Sequence, residues 1–116
     1  MLGLEELKRD RDLVESIDWE MTPRQAFETY QLKSVDNWRH RNLEPVLYFY
    51  LSTWKGEPRV FLVRRSLKES QEIAEIQAPA HLVAACAAGQ EGQDMPRGQL
   101  PLDQPLRDWL RRQLGV

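Results

Sequence analysis

Apolar positions recur along this chain with two different periods, and the change from one to the other marks its organisation. From Leu4 to Ile17 the residues Leu4, Leu7, Val14 and Ile17 fall at helical spacing, while Glu5/Arg9, Lys8/Asp12 and Arg11/Glu15 set opposite charges one turn apart. This predicts one amphipathic helix lying on a surface, because Arg11 interrupts its apolar stripe. The segment Met21-Thr22-Pro23-Arg24-Gln25-Ala26 then carries a complete helix start. Thr22 is the cap, Pro23 takes the first helical position, Gln25 closes the capping box and Met21 is placed to pack against Ala26. A second helix is expected from Pro23 to about Tyr30 or Leu32, burying Phe27 and Tyr30. Residues 33–45 show no clean period and read as a loop, with room for a short turn or strand at their start.

Between Val46 and Arg65 the period becomes two. Two β-rich runs flank a Lys55-Gly56 break, the pattern of a β-hairpin. The first run is apolar on both faces, with Leu47, Phe49 and Leu51 on one and Val46, Tyr48, Tyr50 and Trp54 on the other. A two-residue turn pairs Leu51 with Val60 and Phe49 with Leu62, whereas a slip of one residue would redistribute the second strand. A weaker third strand is expected over Gln71–Gln77, anchored by Ile73 and Ile76. Pro79 opens an alanine-rich helix, Ala80 to Ala88, with Leu82, Val83 and Cys86 as its buried stripe and Gly89 as a left-handed stop. Residues 89–104 have the Gly, Gln and Pro content of a mobile loop. Asp103 caps a last helix in which Leu106, Trp109, Leu110 and Leu114 face away from Arg107, Asp108, Arg111 and Arg112.

These elements give the fold class: α+β, one globular domain over residues 1–116. An antiparallel sheet of about three strands, a meander, is packed with two N-terminal and two C-terminal helices. The 116 residues, 41% hydrophobic and 29% charged, suit one ordinary globular domain rather than two or a disordered chain. The longest apolar run, Val46 to Leu51, falls far short of the roughly 20 residues that span a bilayer. With a single cysteine, Cys86, the chain can form neither an internal disulfide nor a cysteine-based zinc cluster. Both features point to a cytoplasmic protein without membrane contact.

The net charge of −2 conceals an asymmetry, with eight acids against four bases in residues 1–32 and seven bases against three acids in residues 33–65. Attraction between the first helix and the hairpin, within one chain or across a dimer, accounts for it without a polyanion partner.

The chain carries no GxSxG elbow, GxGxxG fingerprint, GxxxxGK loop or metal-ligand spacing around His40 and His81, so no catalytic residue, metal site or cofactor is nominated. The leading expectation is a small non-enzymatic interaction domain that binds itself, as a homodimer, or another protein. Its interface is placed on Leu106, Trp109, Leu110 and Leu114 or on the aromatic face of the sheet, and four tryptophans supply anchor area. An alternative is a small-ligand or anion site between sheet and helices. Arg39 and Arg41 would hold a phosphate or carboxylate beside His40, with Tyr48 and Tyr50 at the mouth. A third class, stacking of single-stranded nucleic acid on Tyr48 and Tyr50 near Arg59 or Arg65, is opposed by the acidic balance of the chain.

Overall fold

The computed structural model describes residues 1–32, 43–54, 56–93 and 95–116, with backbone alone at 31, 32 and 96. The predicted hairpin forms, in the first of the two registers that the sequence left open. Strand β1 (Val46–Ser52) pairs antiparallel with β2 (Arg59–Arg65), setting Leu51 opposite Val60 and Phe49 opposite Leu62. The ladder ends at Ser52 and Arg59 rather than continuing to a two-residue turn. Strand β3 (Ser70–Ile76) pairs with β2 through a bulge, in which Leu62 faces Ala74 and Val63 faces Glu72, leaving Ile73 as the extra residue.

A fourth strand lies inside the stretch expected to be a loop. Gln99–Leu100, here β4, pairs antiparallel with Ser52 and Leu51, which gives the sheet order β3-β2-β1-β4. The chain enters β4 through two left-handed residues, Arg97 (φ 56°) and Gly98 (φ 68°), and the Gly98 carbonyl accepts the Thr53 N–H at 2.9 Å. Leu100 and Leu102 then reach the core.

The expected first helix is two. Helices α1 (Leu4–Arg9) and α2 (Arg11–Glu15) break at Asp10, whose carboxylate accepts the Leu13 N–H at 3.1 Å and so caps the second. Leu7, Val14 and Ile17 all reach the core, so the apolar side of this segment is buried rather than lying on a surface. Helix α3 (Pro23–Ala26) starts as predicted. Thr22 and Gln25 exchange their capping-box hydrogen bonds at 3.2 and 3.1 Å, and the chain continues as a π-helical turn over Phe27–Leu32. Tyr30 is buried, whereas Phe27 is exposed. Helix α4 (Ala80–Ala88) has its expected bounds, but Gly89 ends it at φ −65° rather than in the left-handed region. Helix α5 (Gln104–Leu114) is capped by Asp103, which accepts the Leu106 N–H at 3.1 Å.

Helices lie on both faces of the sheet, which explains why both faces of β1 are apolar. Leu47, Phe49, Leu51, Val60 and Leu62 form the main core with Leu7, Val14, Cys86, Leu106, Leu110 and Leu114 from α1, α2, α4 and α5. On the opposite face Tyr48, Tyr50, Phe61 and Val63 pack with Ala26 of α3, with Met21 and Val46 at the margin. The ends of the chain are tied together: Arg11 Nη1 donates to the Leu114 carbonyl at 2.8 Å, and Arg111 lies 5.3 Å from the centroid of the Trp19 ring, which packs tilted against Phe49 with centroids 5.3 Å apart.

Candidate functional site

Of the residues expected to bind an anion, Arg39, His40 and Arg41 lie outside the described residues. Tyr48 and Tyr50 point to the second face of the sheet, each 3% exposed, in a cluster with Ala26 of α3 and their cross-strand partners Val63 and Phe61. The Tyr50 hydroxyl donates to Glu72 Oε1 at 2.5 Å, and its ring packs 5.7 Å from Phe61. Burial pushes the Tyr48 hydroxyl up to about 12; for Tyr50 burial and then the bond to Glu72 act in the same upward direction. Neither ring is presented as an open stacking platform. Tyr48 does line a small recess of 30 Å³ with Arg65, Ser70 and Arg97.

The four residues expected at an interface all lie on α5. Leu106, Leu110 and Leu114 are fully buried in the chain's own core, so they have no surface left to offer a partner. Trp109 is half-buried and packs against the same core. An amphipathic helix ending a small domain has the same sequence pattern whether its apolar face closes on its own sheet or on another chain. Here the sheet takes it.

Among the described residues the most exposed aromatic is Trp54, at 62%. It stands at the end of β1 on the rim of a cleft of 650 Å³, between the hairpin end and α4. Two walls of different chemistry bound this space. The α4 wall presents Ala80, Val83 and Ala84, which carry no polar side-chain atom. The sheet wall carries Glu57, Arg59, Glu72 and Glu75 above the buried Phe61.

The sheet wall is ordered by cross-strand pairing. Arg59 and Glu75 flank Phe61 on β2 and β3, and the guanidinium donates two bonds to the carboxylate at 2.9 and 2.6 Å. The same guanidinium lies 4.9 Å from the Phe61 ring centroid. Its hydrogen bonds hold the Glu75 carboxyl below its ordinary value.

This cleft was not nominated from the sequence, because its walls come from segments distant along the chain. The only local sign was Trp54, a large apolar residue beside a glycine turn. Cys86 belongs to the core instead: its thiol is fully buried, accepts from the Asp103 N–H at 3.4 Å, and is pushed up chiefly by burial. Among the described residues no group of three or more His, Cys, Asp and Glu side chains is arranged to hold a metal ion, and no helix is long and apolar enough to cross a membrane. Comparison with protein-family models, with curated proteins and with solved structures found no match.

Proposed function

We propose that this chain is a small cytoplasmic, non-enzymatic interaction domain that binds a second copy of itself or another protein through the cleft beside α4. The observation that carries the reading is Trp54. An indole 62% exposed at the rim of a 650 Å³ cleft with an uncharged α4 wall is the kind of anchor that contributes most to protein interfaces when a partner buries it. The leucines of α5 and the tyrosines of β1 are already covered, and Trp54 is the most exposed aromatic among the described residues.

The test is a photo-crosslinking amino acid placed at Trp54 in the full chain inside cells, with the same group at Glu5 as a control on the exposed surface of α1. A discrete product from position 54 alone, either twice the chain mass or joined to one other protein, is expected. Absence of any product from position 54, or the same products from both positions, defeats the reading.

A second reading, a small anion-binding domain, is favoured by the recess in which Tyr48 meets Arg65 and Arg97. At 30 Å³ the recess has room for a carboxylate-sized head group rather than a whole ligand. A rise in melting temperature with acetate that exceeds the rise with chloride at equal ionic strength, and that disappears in Arg97→Gln, would favour it over the first.

A further inference from the structure

We propose that the occupant of this cleft is a cationic segment of a partner protein, a peptide stretch bearing arginine or lysine among apolar residues. The inference rests on the interaction reading above and names the partner's chemistry. Among the described residues, three carboxylates, Glu57, Glu72 and Glu75, line the cleft against one guanidinium, Arg59, a balance that attracts positive charge. The fold itself shows how the wall treats a cation. Arg59 lies over an aromatic face, that of Phe61, while two of its N–H groups bond Glu75, a combination of cation–π contact and bidentate carboxylate pairing.

Trp54 and Glu57 repeat that pair of chemistries at the rim, an exposed indole and an exposed carboxylate bordering the same cleft. On the α4 side, Ala80, Val83 and Ala84 offer no hydrogen-bonding side chain, and such a wall suits the methylene stem of a lysine or arginine, or an interleaved leucine. The volume of 650 Å³ takes several side chains, more than one small ion needs. Strand addition is a poor way to fill it, because β1 and β3 already have partners along their outer edges.

The test uses the full chain, isotope-labelled for nuclear magnetic resonance. It is titrated to millimolar concentration with a short blocked peptide alternating arginine and leucine, and separately with the peptide in which glutamate replaces arginine. The arginine peptide should move the Trp54 indole N–H and the Val83 and Ala84 amides, and the glutamate peptide should leave them in place. Glu57→Lys should weaken the arginine peptide by roughly threefold to tenfold, as expected for reversing one exposed charge.

Arg59→Gln discriminates further. It removes the cation already seated on Phe61 and Glu75, so affinity for the arginine peptide should rise, an effect that loss of structure would not produce. Equal response to both peptides, preference for glutamate, or weakening in Arg59→Gln would overturn the inference. A defined crosslink at Trp54 alongside any of those outcomes would overturn the charge assignment while leaving the interaction reading standing. No crosslink and no peptide response would defeat both.

Discussion

Raising the pH is the most direct probe of the second face of the sheet, because the chain has three tyrosines and all three are buried. Burial pushes the hydroxyls of Tyr30, Tyr48 and Tyr50 upward, and nearby Arg65 offsets part of this for Tyr30 and Tyr48. A tyrosine whose folded value is raised contributes stability that is complete below its unfolded value of 10.0 and is lost as pH climbs through the folded value. For Tyr48, raised to about 12, linkage gives a loss of about 1.4 kcal/mol at pH 11, approaching about 2.7 kcal/mol well above pH 12. Tyr50 adds a loss of the same sign. Against a total stability on the order of 5–15 kcal/mol, these terms are large enough to bring on alkaline unfolding. The assay follows phenolate absorbance and circular dichroism together from pH 9 to pH 12. Phenolate should appear only as secondary structure is lost, in one cooperative step, and Tyr48→Phe should make the alkaline fall in stability shallower. A tyrosine that titrates near pH 10 in a chain whose circular dichroism is intact would refute the burial argument.

Three further outcomes test the packing. Leu110→Ala, at a fully buried position of α5, should cost about 2–5 kcal/mol, read as a lower denaturant midpoint; an unchanged midpoint would mean that α5 does not close the main core. Asp10→Ala removes the carboxylate that caps α2 and should cost about 0.5–2 kcal/mol, whereas a gain in both helicity and stability would show that the break between α1 and α2 depends on something other than the cap. Cys86 should react with an alkylating reagent in native conditions only as fast as the chain opens, and labelling at the rate of a free thiol would contradict its burial between α4 and the Pro101–Asp103 segment.

What the sequence made legible depended on how local each determinant was. The Thr22-Pro23-Gln25 start and the Asp103 cap are complete within a few residues, and both formed as read. The hairpin was readable from two β-rich runs around a glycine break, but its register was not: both runs are apolar on both faces, so a slip of one residue would still set apolar against apolar, and the pairing of Phe49 with Leu62 is set by the fold. Other features depended on tertiary context. Ile73 and Ile76 are three apart, a spacing that fits no regular strand, and the bulge at Ile73 is what lets both pack against the main core. Strand β4 has two residues, too few to show alternation, and forms because Ser52 and Leu51 offer a free edge beside a Pro96–Gly98 turn. The break at Asp10 was hidden by a helical spacing that holds on both sides of it. For the candidate site only Trp54 stood out locally; its opposing walls meet through the fold.

The closure of the sheet edges constrains how this chain can meet a partner. On the outer side of β3, Leu2 donates to the Ile73 carbonyl at 2.9 Å and accepts from the Glu75 N–H at 2.9 Å, so the N-terminal segment occupies the middle of that edge. On the outer side of β1, the Asp18 N–H bonds the Leu47 carbonyl at 2.8 Å at one end and β4 pairs with Leu51 and Ser52 at the other. Trp19 packs tilted against Phe49 in the main core. Covered edges discourage a foreign strand from extending the sheet. The face of the sheet toward α5 is filled by leucines, and the tyrosine face is closed over Tyr48 and Tyr50, so association by sheet stacking would first require the core to open. The cleft at the hairpin end requires neither a freed strand nor an opened core, and its exposed indole is already in place. A partner that docks there should therefore leave the hydrogen exchange of β1 and β2 unchanged while slowing it in α4. Slowed exchange along the outer edge of β3 instead would mean that the partner displaces Leu2 and adds a strand after all.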